Sequence, residues 1–259
     1  FFAPITFYKN LWLGIGGYDT LFRRSREDSD LVQRCLHKGI KLKQTFGAIV
    51  YHFTCTSSRG KDWFKNDNIE AQNRVKMQNQ ADQIELKRFI RKWGGFNHGT
   101  EKINKYDIDL EIQNSSKLPP HIISNIEPLF SRVWIDDAAV SKIINEDISK
   151  EHELANKLLN FTDKQWEKTS KYHNLDNYSE IFLLQDDHIL EYDIKLTIDG
   201  NTLENSDFEV INQIHKIIEN YDRGHYEYGN IKLSIYKKNT INNTVCTNPD
   251  FDMNLLKIS

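Results

Sequence analysis

Cysteine is scarce in this chain. Of 259 residues, three are cysteine: Cys35, Cys55 and Cys246. None forms a C-x-x-C pair, which argues against a disulfide scaffold and fits a reducing compartment, so a cytoplasmic protein is expected. Long apolar runs are missing too. No stretch approaches the roughly 18 residues a membrane span needs. The opening Phe1-Phe2-Ala3-Pro4 lacks the basic leader and apolar run of a signal peptide. An excess of one charge is absent as well: 34 basic side chains face 37 acidic ones, a net charge of −3. That balance gives no general pull toward nucleic acid or anionic lipid. There is no G-x-x-x-x-G-K-[ST] phosphate loop and no G-x-S-x-G elbow. The histidines show no zinc spacing.

What is present is ordinary for a globular protein, and the length suits one large or two modest domains. Apolar positions place a short helical turn and a glycine turn over 9–18. A helix follows near 28–38, capped by Ser25 or Asp28 and closed by His37-Lys38-Gly39. Strands are expected at 1–8, 40–44 and 48–53, and a long helix at 62–92 ending in Trp93-Gly94-Gly95. The linker at 96–105 marks a boundary. Beyond it, the alternation in Tyr106-Asp107-Ile108-Asp109-Leu110-Glu111-Ile112 is a strand signal. Helices are expected at 120–134, in short pieces over 136–148, at 151–172 and at 207–221. Strands are expected at 180–184, 192–198 and 226–236. This second rhythm suggests a small α+β sandwich with a mainly antiparallel sheet. The chain is thus expected to be α/β, α+β overall, with domains at 1–104 and 105–240 and a tail at 241–259.

One stretch is denser in chemistry than the rest. From Trp12 it reads W-L-G-I-G-G-Y-D, then R-E-D-S-D-L-V-Q-R-C-L-H-K-G, then A-I-V-Y-H ending at His52. Glu27, Asp28 and Asp30 crowd a predicted helix start, where carboxylates cap and complement the dipole. Gly16 and Gly17 form a turn, which permits close backbone approach. Trp12 and Tyr18 are either core or a stacking surface for a sugar face. His52 closes an apolar strand. Ser57-Ser58-Arg59-Gly60-Lys61 joins hydroxyls, a flexible glycine and two cations. That combination suits a diphosphate group, or a solvated loop.

In order and spacing this stretch resembles the C-terminal half of the catalytic domain of family 2 glycosyltransferases, which have the GT-A fold. The residues that carry the likeness are Gly16, Gly17, Tyr18, Asp19, Glu27, Asp28, Asp30, Leu31, Arg34, Gly39 and His52. The likeness covers about the first 100 residues. It implies an inverting transfer of a sugar from a nucleotide-diphosphate donor to an acceptor hydroxyl on a carbohydrate, lipid-linked or protein substrate. Asp28 would be the general base and Glu27 would orient the acceptor. Gly16, Gly17, Trp12 and Tyr18 would line the substrate site, with Ser58, Arg59 and Lys61 at the diphosphate. His52 would be a ligand to Mn²⁺ or Mg²⁺. The family's D-x-D motif is not matched by Asp28-Ser29-Asp30, which opens a helix rather than following a strand. Together with an apolar opening and no initiator Met, that reads as a fragment. The Q-x-x-R-W of processive members is absent, which implies single additions. The rival readings are a degenerate carbohydrate- or partner-binding module and a metal-dependent hydrolase.

Overall fold

The computed structural model describes residues 6–19, 22, 25–43, 47, 69–96, 101–158, 180–184 and 192–241. The chain divides into two compact units. One comprises Phe1–Leu86, Ala155–His173 and Thr244–Ser259, and the other Lys87–Leu154 and Asn174–Asn243. Among the described residues there are seven α-helices and one six-stranded sheet, a mixed α/β architecture.

The first unit is helical where it is described. Helix α1 is Lys9–Ile15. Gly14 lies inside this helix, where a short helical turn was expected. Helix α2 is Glu27–His37. Neither Ser25 nor Asp28 caps it. Arg26 occupies the N-cap in the left-handed region at φ 73°, with no side-chain cap. Ser25 instead donates from its backbone N–H and its Oγ to Glu85. The C-terminal end follows the expected pattern: Lys38 N–H bonds Arg34 O, and Ile40 N–H returns to Cys35 O. The intervening Gly39 has φ 71°, a conformation glycine adopts without the Cβ penalty. Ile15, Leu31 and Cys35 form the buried cluster between α1 and α2. No strand occurs over 6–8 or 40–43. The expected strand at 48–53 lies outside the described residues. Helix α3, Ile69–Trp93, contains the division between the units.

The second unit is built on the sheet. Strand β1 is Ile108–Gln113, β2 Arg132–Ile135, β3 Glu180–Leu183, β4 Ile194–Asp199, β5 Gly224–Tyr228 and β6 Ile231–Ile235. Their spatial order is β3-β2-β1-β4-β6-β5. The β1–β2, β1–β4 and β2–β3 pairs are parallel, while β4–β6 and β5–β6 are antiparallel. The mainly antiparallel sheet expected from the alternation is therefore corrected to a mixed one. Helices α4 (Pro120–Ile126), α5 (Ala138–Leu158), α6 (Asp207–Asn212) and α7 (Ile214–Glu219) connect the strands.

The alternation misled because alternate side chains do face opposite environments here. Ile108, Leu110 and Ile112 point into one core with Val133, Ile135, Ile194, Leu196, Ile198, Ile231, Leu233 and Ile235. Ile123 and Ile126 of α4, Val140 and Ile144 of α5, Ile211 of α6, and Ile214 and Ile218 of α7 fill the same core. Helices α4 to α7 thus pack on one face of the sheet. Asp109, Glu111 and Gln113 take the other face, in register with Arg132, Trp134, Lys195, Thr197 and Asp199.

Four further expectations change. The helix expected through residue 134 stops at Ile126, continues as the 3-10 turn Glu127–Leu129, and gives way to β2. The short pieces over 136–148 merge into α5, whose first N–H groups, at Ala139 and Val140, are bonded by Asp137 Oδ1. The helix at 207–221 breaks at Gln213 into α6 and α7. The strand at 226–236 is a hairpin turning at Gly229-Asn230. The chain stays paired past β6, since Tyr106 bridges Thr240 and Ile241 N–H reaches Lys105 O.

Below the sheet sits a buried polar network. Arg91 forks onto Glu127, with Nε–Oε1 3.2 Å and Nη2–Oε2 2.7 Å, and reaches Glu151 at 2.8 Å. Lys87 binds the other oxygen of Glu151 at 3.0 Å. Lys105 donates to Arg91 O, and burial, foremost, lowers its ammonium to about 8. His215 Nδ1 accepts the Tyr106 N–H at 3.0 Å, so Nε2 carries the proton and donates to Leu129 O at 2.8 Å. Burial, chiefly, lowers His215 to about 3. Between that value and its ordinary one, the unfolded chain binds a proton that the folded one does not. Stability is therefore full above about pH 6.5 and declines as pH falls toward 3, by up to about 1.4 kcal/mol per pH unit. Urea unfolding of the second unit between pH 7 and 4 is expected to show this slope. His215→Gln is expected to remove most of the slope while lowering stability at neutral pH.

Candidate active site

The glycine turn and the acidic helix are separate in sequence and joined by one side chain. Arg34, on the third turn of α2, is 4 % exposed. Its Nη1 donates to Ile15 O at 2.8 Å and its Nη2 to Gly17 O at 2.7 Å. Its Nε binds Asp30 Oδ2 at 2.8 Å. The planar fork thus spends three N–H groups on the two carbonyls and a fully buried carboxylate. Asp30 is accordingly structural.

The turn itself needs glycine twice. Gly16 (φ 86°) closes α1 and Gly17 (φ 71°) follows. A Cβ on Gly17 would sit 3.2 Å from the Trp12 ring. The close approach at Gly17 is therefore that of Trp12, whereas Gly16 is exposed. Trp12 in turn meets Tyr18 edge-to-face, at 5.1 Å between centroids and 87° between planes. Phe7 packs on Trp12 from another side at 5.6 Å. Trp12 is half-buried, while Tyr18 stays 47 % exposed.

Asp28 is the second residue of α2 and is half-buried, as is Glu27. Both lie in the first turn, where the helix dipole favours a carboxylate. Asp28 Oδ1 accepts the N–H of Ser29 at 2.8 Å. The Tyr18 phenol is raised by burial first, then by the charges of Asp28 and Glu27. The structure thus brings Trp12, Tyr18, Glu27 and Asp28 into one neighbourhood: an aromatic pair with an open face beside two carboxylates. The buried Cys35 thiol behind them is pushed up to about 11 by burial and stays a neutral core group. Arg26, directly before the acidic pair, holds a conformation that costs a non-glycine residue of order 1–3 kcal/mol. No sequence signal marks that strain.

His52, Ser58, Arg59 and Lys61 lie outside the described residues. Among the described residues, no three His, Cys, Asp or Glu side chains converge as a metal site would require. No helix among them is long and apolar enough to cross a membrane. The chain matches no protein-family model, no curated protein and no solved structure.

Removing the Arg34 fork strands the Asp30 carboxylate and two turn carbonyls. Arg34→Ala is expected to cost about 3–5 kcal/mol, the usual loss on breaking a buried pair. Arg34→Lys keeps the charge but not the geometry, and should recover only part of that. Urea unfolding of both variants checks this. A loss below about 1 kcal/mol for Arg34→Ala, the size of a surface pair, would mean that the fork does not hold the turn.

Proposed function

We propose that the first unit carries the acceptor side of an inverting GT-A glycosyltransferase resembling family 2. The observation that supports this is the Arg34 fork. It fastens the Gly16-Gly17 turn to the helix opened by Glu27 and Asp28, so the two halves of the motif serve one place. In this reading a sugar acceptor stacks its C–H face on Tyr18 and Trp12. Asp28 takes the proton from the acceptor hydroxyl as that oxygen attacks the anomeric carbon. The new C–O bond forms as the glycosyl–phosphate bond breaks, and the nucleoside diphosphate leaves. Glu27 orients the acceptor. Ser58, Arg59 and Lys61 belong to the diphosphate end by resemblance. So does His52, as a ligand for the Mn²⁺ or Mg²⁺ ion. The described residues supply no donor set for that ion, and no step here is routed through it.

Asp28 is half-buried and, among the described residues, accepts only the neighbouring Ser29 N–H, so its loss separates chemistry from folding. With this chain joined to a donor-binding half of the same fold, and a panel of uridine, guanosine and thymidine diphosphosugars and saccharide acceptors, nucleoside diphosphate release is expected from one donor. Asp28→Asn should lower kcat by about 10² to 10⁴-fold, the range of a lost general base. Donor KM and the unfolding midpoint should hardly move. A kcat loss under about tenfold would place the base elsewhere. Saccharide binding without release from any donor would replace the transferase by a carbohydrate-binding module.

A further inference from the structure

A sheet that is parallel over four strands is normally covered on both faces. Among the described residues of the second unit, helices α4 to α7 contribute to the core on one face. The other face holds a cleft of about 440 Å³ over β1, β4 and the β5–β6 hairpin. We propose that this cleft binds a neutral oligosaccharide.

The floor is built rather than incidental. Glu111 is 6 % exposed and ion-paired to Lys195, and Gln113 Nε2 donates to Glu111 Oε1 at 2.8 Å. The walls continue the pattern: Glu227 stands opposite Lys232 in the hairpin register, and Lys232 opposite Thr197 of β4. Each cation of the cleft thus has a carboxylate beside it. A third carboxylate of the lining, Asp199, accepts from Asn114 Nδ2 and the Asn201 N–H, so no cation is left over to hold an anion. Hydrogen-bonding capacity is only partly used: Gln113 and Asn230 each spend one amide N–H, on Glu111 and Asp207, and Thr202 donates to Asp199 O, which leaves their acceptor oxygens. The amides of Gln113 and Asn230 and the hydroxyls of Thr197 and Thr202 line the same space, and such groups match the paired hydroxyls of a sugar. A nucleotide would need uncompensated cations and a stacking wall inside the cleft, and the lining has neither.

Aromatic surface lies beside it. Lys195 Nζ sits 5.0 Å from the centre of the Tyr192 ring, and Tyr192 meets Tyr236 edge-to-face at 5.3 Å. Tyr236 is 39 % exposed. Polar cleft and aromatic flank thus share Lys195. That suits a ligand longer than one residue, hydrogen-bonded at one end and stacked at the other.

This site is independent of the Trp12–Asp28 neighbourhood, and the test separates the two. The intact chain is titrated with neutral hexasaccharides of β-1,4-glucose, β-1,4-N-acetylglucosamine, α-1,4-glucose and β-1,4-mannose, followed by saturation-transfer NMR. Single-stranded oligothymidylate serves as the alternative ligand. At least one saccharide should bind. Gln113→Ala, Glu227→Ala and Tyr236→Ala should each weaken it about tenfold, equivalent to about 1.4 kcal/mol, with unchanged unfolding midpoints. Trp12→Ala should leave this binding intact. Three outcomes overturn the proposal: no saccharide binds at millimolar concentration, binding disappears in Trp12→Ala but survives the cleft variants, or oligothymidylate binds the cleft in preference to every saccharide.

Discussion

A guanidinium cannot be left without partners in a protein interior, because the water it gives up has to be replaced. Arg34 meets that demand with two carbonyls from one segment and a carboxylate from its own helix. The described part of the first unit is arranged around this bond set. The turn that ends α1 has to present Ile15 O and Gly17 O in one direction, which sends Gly16 and Gly17 into positive φ. Once the turn is fixed, Trp12 closes over Gly17 and sets the angle at which Tyr18 is shown to solvent. The acidic first turn of α2 is positioned by the same guanidinium, because Asp30 and Arg34 are one helical turn apart. Tight packing at Ile15, Leu31 and Cys35 then supports a polar joint instead of replacing it.

The second unit solves a different problem. Its parallel strands are short, and its described helices α4 to α7 pack on one face. The charged face is stabilised from within the sheet: Arg132 on Asp109, Trp134 Nε1 on Asp109 Oδ2 at 3.0 Å, and Lys195 on Glu111. Trp134 also stacks on Phe182 of the edge strand at 4.5 Å.

Legibility in the sequence followed the physics closely. The alternation of Ile108, Leu110 and Ile112 with Asp109 and Glu111 marked β1 plainly, because period two survives whatever the neighbouring strand's direction. It could not give that direction. A parallel sheet with a polar face reads like an antiparallel one. Strand β2 was hidden because Arg132-Val133-Trp134-Ile135 is four residues long and follows Pro128 within an apolar stretch. The hairpin at 224–235 did leave a trace. Tyr226 and Tyr228 are apolar at even positions, whereas Ile231, Leu233 and Ile235 are at odd ones, and that change of parity is the turn. At the candidate site, the i,i+4 spacing of Asp30 and Arg34 was visible. The reach of Arg34 back to Ile15 and Gly17 was not, since no local pattern encodes a bond across so much chain. The left-handed Arg26 has no local signature either, because arginine is a poor choice for that conformation.

Asn114 and Gly200 meet at the carboxyl ends of β1 and β4. Asn114 sits at φ 52° and donates from its side chain to Asp199 at 2.9 Å. A Cβ on Gly200 would fall 2.4 Å from Asn114 O, a backbone atom that cannot swing aside. The two positions therefore constrain each other over the course of sequence drift. Residue 114 is confined to the few side chains that tolerate a left-handed backbone, and residue 200 to glycine for as long as 114 stays where it is. Length changes in the loop after β4 would be accommodated only beyond Leu203, whose N–H returns to Asp199 O and whose side chain packs on the core, at 204–206. Any lineage that keeps the sheet would be expected to vary there and to keep the Asn–Gly pair.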